Sequence, residues 1–298
     1  MDWRAIGLGV LFATMWSSAF TSARMIVTDA PPFLALSLRF LLSGAVALGV
    51  GAALGQRLPR AREQWRAIGV FGLCQNALYL GLFFLAMRTI GAGLASVIAS
   101  ALPLMVAALS WAVMGEKLTP MAAAGLALGF AGVLVIMTTR IGPGADPVAI
   151  GLCLIGALAL AIATLSVRGA SASGDLWMAV GLQMLVGAAA LFPVALVFET
   201  WTVHWTPSLI GAFAYTVLIP GVAATMIWFV LVRRIGATRA ATFHFLNPFL
   251  GVAIAALVLG EPVTGRDLIG VAVIMAGILA VQLSRRPASR TPASQALK

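Results

Sequence analysis

The stretch RTIGAGLASVIASALPLMVAALSWAVMGE at residues 88–116 recurs in outline as RRIGATRAATFHFLNPFLGVAIAALVLGE at residues 233–261. A shift of 145 residues aligns residues 87–137 with residues 232–282 without a gap, and 16 of the 51 aligned positions are identical. The coincident positions include a proline and a Gly-Glu pair, at Pro103, Gly115, Glu116 and at Pro248, Gly260, Glu261. Composition alone does not produce such a register, so the chain contains an internal repeat.

The composition is typical of a membrane protein. Of the 298 residues, 61% are apolar and 9% are charged, whereas a soluble domain carries about 25% charged residues. The mean hydropathy of +1.05 excludes a disordered chain, a secreted disulfide scaffold and an ordinary water-soluble enzyme. Cys74 and Cys153 both lie in apolar runs, and we expect neither a metal nor a cofactor.

Ten windows are long and apolar enough to cross a bilayer, whose core of about 30 Å requires about 20 apolar residues per helix. They cover residues 5–27, 32–54, 65–87, 90–114, 121–137, 148–167, 177–198, 209–232, 240–259 and 268–283. Backbone polar groups must be paired inside hydrocarbon, so continuous apolar runs of this length are helices. The sequence predicts an all-α polytopic membrane protein with ten transmembrane helices.

The repeat also predicts the orientation of the two halves. Its matched helices are the fourth and the ninth, and because they are five spans apart they cross the membrane in opposite directions. We therefore expect two inverted five-helix repeats, at residues 1–140 and 141–284, followed by a disordered basic cytoplasmic tail at residues 285–298. Inverted repeats recur in secondary transporters. The alternative is a duplicated membrane protein that does not transport.

Basic residues give the expected topology. Fourteen of the 19 lie on the side that holds both termini and four on the other side, so both termini are predicted to be cytoplasmic. The net charge of +10 then reflects topology, and no basic stripe with stacking aromatics suggests a nucleic-acid partner. Seven of the eight tryptophans, including Trp177 and Trp228, fall near predicted helix ends, as in an interfacial belt.

Polar residues at mid-helix are the candidates for a substrate site near the bilayer centre. Trp16 and Ser17 lie halfway along the first helix, where Trp16 either lines a cavity or packs in the core. Asn76 and Tyr79 share one face of the third helix. They either line a ligand site or form a hydrogen bond to a neighbouring helix. Ser100 lies in the fourth helix, where a small residue also permits close packing.

The ninth helix differs from its repeat partner in polarity. His244 and Asn247 stand where Ala99 and Leu102 stand in the fourth helix, which favours a functional contact over shared framework. Pro103 and Pro248 each remove a backbone donor about midway across, so these two prolines are candidates for a gating bend.

Arg39 is the basic residue that lies well inside a predicted span, and no carboxylate is predicted at its depth. It either reaches the interface, bonds carbonyls at a helix end, or attracts a substrate carboxylate. His244 is the one candidate proton relay, so transport is either facilitated or coupled to protons through His244. The absence of a G-x-x-x-x-G-K-[ST] motif argues against direct use of ATP.

The segment WSSAF at residues 16–20, the pair Arg39-Phe40 and the repeated Pro and Gly-Glu positions resemble the EamA type of the drug/metabolite transporter superfamily. The resemblance spans the whole chain and implies export of small metabolites by a bacterial inner-membrane carrier. A central site similar to that of this family would collect Trp16, Ser17, Asn76, Tyr79, Ser100, Thr164, His244 and Asn247.

Such a site is uncharged, aromatic and rich in hydroxyl and amide groups. It suits neutral or aromatic amino acids, or similar small metabolites, exported by alternating access. The alternatives are export of other drug-like metabolites, lipid translocation and, less favoured, an intramembrane enzyme, which would need a second catalytic group beside His244. The expected partners are a small-molecule substrate and the lipid bilayer, and the oligomeric state is left open.

Overall fold

A computed structural model describes residues 3–115, 119–140, 146–166, 175–235 and 242–284. Every regular element within these ranges is a helix, which confirms the all-α prediction. The expected tail at residues 285–298 lies outside the described residues.

Contiguous helical turns form segments that we number in chain order. Their bounds are α1 Trp3–Asp29, α2 Pro32–Ala53, α3 Arg62–Ala86, α4 residues 92–114, α5 Pro120–Arg140, α6 Pro147–Ser166, α7 Leu176–Phe198, α8 residues 207–235, α9 residues 242–259 and α10 Gly265–Ser284. Among the described residues, α1 to α4 and α6 to α8 are long and apolar enough to cross a membrane. The apolar stretches of α5 and α9, Pro120–Ile136 and Asn247–Leu259, are shorter. The number of ten spans stays a prediction.

Two irregular helical turns begin 145 residues apart, the same offset that relates the aligned segments of the repeat. A π-helical turn occupies Gly72–Leu80 in α3, and another occupies Val217–Ala223 in α8, beginning 145 residues later. The second contains Pro220, which removes a regular helical hydrogen bond. Such π-bulges are frequent at functional sites because they change the direction of neighbouring side chains.

Both repeated prolines follow an interruption of their helix. In α4 a turn at Ala101 separates Ala92–Ser100 from Leu102–Met114, and Pro103 is the second residue of the new helix. In α9 a 3₁₀ turn, Thr242–Leu246, precedes Asn247–Leu259, and Pro248 again comes second. The two prolines thus occupy equivalent positions, one residue into the helix that follows each interruption.

Helices α5 and α10 pack closely through glycines. A Cβ atom added at Gly125 would lie 2.8 Å from the carbonyl oxygen of Gly277, and one added at Gly132 would lie 2.8 Å from that of Gly270. Moving seven residues forward on α5 moves the contact seven residues back on α10, so the two helices are antiparallel. Small residues let the backbones approach, as membrane helices commonly require.

Helices α2 and α7 form a second close pair. Ser37 of α2 donates to the carbonyl of Ala188 (3.0 Å), and a Cβ atom at Gly44 would lie 3.1 Å from the carbonyl oxygen of Gly181. These helices also run antiparallel, since Ser37 contacts Ala188 whereas Gly44, further along α2, contacts the earlier residue Gly181 of α7. Trp177 is the second residue of α7, so it lies at a helix end as the sequence predicts, but it is 9% exposed and packs against Gly51 in this interface.

Polar side chains at helix ends join the same pairs. Glu199, after the end of α7, accepts the amides of Phe33 and Leu34 at the start of α2, each at 2.8 Å. At the opposite end of the pair, Gln56 accepts the amide of Trp177 at 2.9 Å. Each side chain supplies an acceptor to the unpaired amides in a first helical turn.

The bundle has two faces, defined here by α1. The first face is the end where α1 begins at Trp3, and the second face is the end where it finishes at Asp29. Glu199 lies at the second face, because α2 follows α1 directly. Glu261 lies there too and accepts the amides of Ala92 (2.6 Å) and Gly93 (3.0 Å) from the start of α4.

Candidate functional site

Four rings from three helices meet inside the bundle. They are Phe12 and Trp16 of α1, Trp228 of α8 and His244 of α9, which we call the aromatic cage. Ring centroids lie 4.9 Å apart for Phe12 and Trp228, 5.2 Å for Phe12 and His244, and 5.2 Å for Trp228 and His244. The Trp16 and His244 centroids lie 6.1 Å apart, edge to face. These separations are typical of favourable aromatic pairs.

A short hydrogen-bond chain orients the histidine. The Ser17 hydroxyl donates to Asn247 Oδ1 at 3.4 Å, and Asn247 Nδ2 lies 3.0 Å from His244 Nδ1. An amide nitrogen can only donate, so Nδ1 is the acceptor and the proton of a neutral imidazole resides on Nε2. His244 is partly exposed, and its Nε2 has no hydrogen-bond partner in the described part of the chain. The cage therefore presents one N–H donor to a ligand.

Two serines of α4 extend this polar group. Ser96 donates to the backbone carbonyl of Asn247 at 3.3 Å, and Ser100 donates to the carbonyl of Ser96 at 2.7 Å. Gly251 lies against the Ser96 side chain, which lets α4 and α9 approach closely. Both hydroxyls are buried and already donate a hydrogen bond to a backbone carbonyl. Ser100 therefore has no free donor to offer to a ligand in the site.

On the side toward the first face, apolar side chains close off the cage. Leu231 and Ala5 are buried, and four partly buried residues pack against them. These residues are Leu8, Trp228, Ile235 and Phe243. The Phe243 ring also occupies the space beside Gly9, where a Cβ atom would collide with it. Within the described part of the chain, this contact is made by apolar side chains.

Toward the second face, a cavity of about 640 Å³ lies between the ends of α1, α8 and α9. Its charged lining residues are Arg24, Asp29 and Glu261. Arg24 lies eight residues beyond Trp16 along α1, a rise of about 12 Å. Glu261 is already bonded to backbone amides, and Asp29 accepts the Thr206 hydroxyl at 2.7 Å.

Three predicted site residues lie elsewhere. Asn76 donates to the carbonyl of Gln183 at 2.8 Å and is 2% exposed, so it joins α3 to α7 as an interhelical bond. Tyr79 is buried beside Phe83, with ring centroids 4.7 Å apart. Thr164 donates to the carbonyl of Leu160 in its own helix at 2.7 Å. The structure brings none of the three into contact with the cage.

Arg39 also lies apart from the cage. It is 6% exposed, and its guanidinium stands over the Phe40 ring, 5.2 Å from the centroid. Its Nε is buried and has no hydrogen-bond partner among the described residues. Arg39 is therefore buried rather than at the interface, and within the described ranges it bonds no helix-end carbonyl.

Sequence reasoning missed two members of the cage. Trp228 was assigned to the interfacial belt, yet it lies against Phe12 and His244 because α8 continues beyond it to Ile235. Phe12 could have been found, since it lies one turn before Trp16 on the same face of α1. The partner of neither ring is visible in local sequence.

The described geometry defines a polytopic helical membrane protein with a polar and aromatic site between helices. A single family model, the EamA-like transporter family, matches residues 3–138 and again residues 147–283. The chain therefore belongs to this family and is a membrane transporter of small metabolites, which confirms the resemblance seen in the sequence.

Several relatives align over nearly their whole length. The "Uncharacterized transporter YvbV" of Bacillus subtilis (strain 168) is 28% identical, over 90% of this chain and 88% of its own. The "Uncharacterized inner membrane transporter YedA" of Escherichia coli (strain K12) is 26% identical, over 93% of this chain and 90% of its own. A solved crystal structure, 23% identical, superimposes with a TM-score of 0.67 over 95% of this chain and 98% of its own, a likeness of fold.

Proposed function

We propose that this transporter exports neutral or aromatic amino acids, or similar small metabolites, by alternating access around the aromatic cage. The observation that carries the proposal is the Ser17–Asn247–His244 chain, which fixes an N–H donor among aromatic rings inside the bundle. Rings bind a planar or apolar side chain, and the donor binds an oxygen acceptor of the same molecule. The binding residues proposed are Trp16, Ser17, His244 and Asn247, with Phe12 and Trp228.

Inverted repeats form the structural part of this proposal, with residues 1–140 as one half and 141–284 as the other. The antiparallel contacts of α5 with α10 support it, because Gly125 and Gly132 are the repeat equivalents of Gly270 and Gly277. Exchange of conformations between two such halves converts a cavity open to one face into a cavity open to the other.

The helix-end acceptors add independent support. Gln56 follows α2 and caps α7, while Glu199 follows α7 and caps α2. The two caps lie at opposite ends of the pair, as a two-fold axis in the membrane plane would require. The repeated prolines, Pro103 and Pro248, are the proposed hinges, because each follows a break in its helix.

The positions of the apolar packing and of the cavity favour one state of the transport cycle. Apolar side chains pack on the first-face side of the cage, and the cavity of about 640 Å³ lies at the second face, lined by residues at the ends of α1 and α9 and by none of the cage. With both termini cytoplasmic, as the basic residues predict, this arrangement would be the outward-facing state of an exporter in the bacterial inner membrane.

Counterflow in proteoliposomes tests the function. Liposomes loaded with an unlabelled amino acid should accumulate the labelled one transiently and saturably, for phenylalanine more than for leucine or glycine. Asn247→Leu leaves the Ser17 hydroxyl and His244 Nδ1 without their partner, and Trp16→Ala removes a cage wall. Both should reduce exchange at least 10-fold.

The matched control is Trp111→Ala, since Trp111 is 56% exposed on α4 and lies outside the cage. It should exchange at the wild-type rate. Normal exchange in both Asn247→Leu and Trp16→Ala would refute the site. Absence of saturable exchange by the wild-type protein, with every amino acid in the panel, would refute the function.

A further inference from the structure

Arg39 places a cation inside the bundle with no counter-ion among the described residues, and we propose that it binds the carboxylate of the transported molecule. The substrate class is then carboxylic acids, zwitterionic or anionic, and amines without a carboxylate are excluded. This inference rests on the proposed transport function and specifies its substrate.

The position of Arg39 on α2 excludes contact with lipid headgroups. Its neighbours Leu38 and Leu42 are 45% and 43% exposed on the outer surface of the bundle, whereas Arg39 is 6% exposed. Ser43, one turn further on the same face, is fully buried and donates to the carbonyl of Val217 in the π-helical turn of α8. The arginine therefore points toward the interior that α2 shares with α8.

The acids that could neutralise Arg39 are occupied elsewhere in the described part of the chain. Five of them accept hydrogen bonds at a helix end or loop: Asp29 from Thr206, Asp146 from Thr89, Glu199 from Phe33 and Leu34, Glu261 from Ala92 and Gly93, and Asp267 from Thr264. The other two described acids, Glu63 in the first turn of α3 and Asp175 just before α7, lie at the first face, whereas Arg39 lies nearer the second face. A buried guanidinium without a partner is strongly unfavourable, and intramembrane charges of this kind mark substrate or ion sites. A ligand carboxylate supplies the missing charge.

A second polar atom at the same depth has no partner. Thr21 is 4% exposed, and its Oγ1, like Arg39 Nε, is buried without a hydrogen bond among the described residues. Thr21 lies eight residues before the end of α1, and Arg39 lies seven residues into α2, so both are about 11 Å from the second face. They offer a cation and a hydroxyl at one level of the membrane.

This level lies beyond the cage on the side of the open cavity. Five residues separate Trp16 from Thr21 along α1, a rise of about 7.5 Å, which is comparable with the length of an aromatic amino acid. The proposal requires a substrate whose ring lies in the cage and whose carboxylate reaches Arg39. Arginine suits this role because its planar fork of donors matches a carboxylate in two parallel hydrogen bonds.

Counterflow with three matched compounds tests the assignment. Phenylalanine carries both charged groups, 3-phenylpropionate lacks the ammonium, and 2-phenylethylamine lacks the carboxylate. The wild-type protein should exchange the first two and not the third. Arg39→Gln should weaken the apparent affinity for both carboxylates by 10- to 100-fold, and Arg39→Lys should weaken it less because the charge remains.

Exchange of 2-phenylethylamine as good as that of phenylalanine, or unchanged affinity in Arg39→Gln, would overturn the assignment while leaving the transport function intact. If the wild-type protein exchanges none of the compounds, the proposed function fails and thermal unfolding in detergent still tests Arg39. Without ligand, Arg39→Gln should melt at or above the wild-type temperature, because an unpaired buried charge is removed. A clear decrease would show a structural partner and refute the proposal. Arg62→Gln, at an exposed site in the first turn of α3, is the control.

Discussion

Replacement of Glu199 by alanine tests how the bundle is held together at its second face. The carboxylate accepts the amides of Phe33 and Leu34 at 2.8 Å each, in the first turn of α2. Because Pro31 and Pro32 precede these amides and donate no hydrogen bonds themselves, Phe33 and Leu34 carry the first available N–H groups of the helix. Alanine leaves both groups without their acceptor.

The magnitude follows from two charge-assisted bonds, each worth about 1.5 to 3 kcal/mol. Water reaches this partly exposed turn and replaces part of the loss, so we expect Glu199→Ala to destabilise the protein by about 2 to 4 kcal/mol. At roughly 2 to 4 °C per kcal/mol, the Tm should fall by about 4 to 16 °C. Glu199→Gln keeps one acceptor without its charge and should show about half of this decrease.

Gln56 provides an internal comparison. It makes one neutral bond, to the amide of Trp177, so Gln56→Ala should cost only about 1 kcal/mol. Thermal unfolding in detergent at fixed pH and salt gives all three values, and Glu63→Ala, an exposed acid in the first turn of α3, serves as control. The capping argument is wrong if Glu199→Ala has the same Tm as the wild type. It is also wrong if Glu199→Ala lowers the Tm by less than Gln56→Ala does.

Two further predictions concern stability. In the same assay, Gly132→Ala should destabilise the protein by about 1 to 3 kcal/mol, because the added Cβ atom would meet the backbone of Gly270. Gly151→Ala is the control and should be neutral, because the space around Gly151 is open. Equal effects of the two substitutions would contradict the packing of α5 against α10. Hydrogen bonds from the Thr89 hydroxyl, and then from the amides that begin α6, hold the pKa of the partly exposed Asp146 below its usual range. The stability from this contact is present above the carboxyl's ordinary pKa and is lost as the pH falls through the lowered one. The Tm should therefore decline less steeply on acidification from pH 6 to 3 in Asp146→Asn than in wild type, and identical profiles would refute the role of Asp146.

The fold class and the repeat were accessible from the sequence for a simple physical reason. Hydrocarbon tolerates few backbone arrangements, so a run of about 20 apolar residues already specifies a helix. The offset of 145 residues pairs Pro103 with Pro248, and in the structure each proline follows an interruption of its helix. His244 and Asn247 stood out because they differ from their repeat equivalents, and the structure joins them by a hydrogen bond.

The sequence by itself determined which segments are helices, which of their residues are polar at depth, and the family to which the chain is similar. Only the tertiary structure decided which polar residues face one another. Asn76 resembled a ligand contact until the Gln183 carbonyl was found beside it, and Trp228 resembled an interfacial residue until Phe12 and His244 were found against its ring. Helical periodicity fixes the face of a side chain on its own helix, but the rotation and depth of the neighbouring helix depend on packing between residues more than a hundred positions apart.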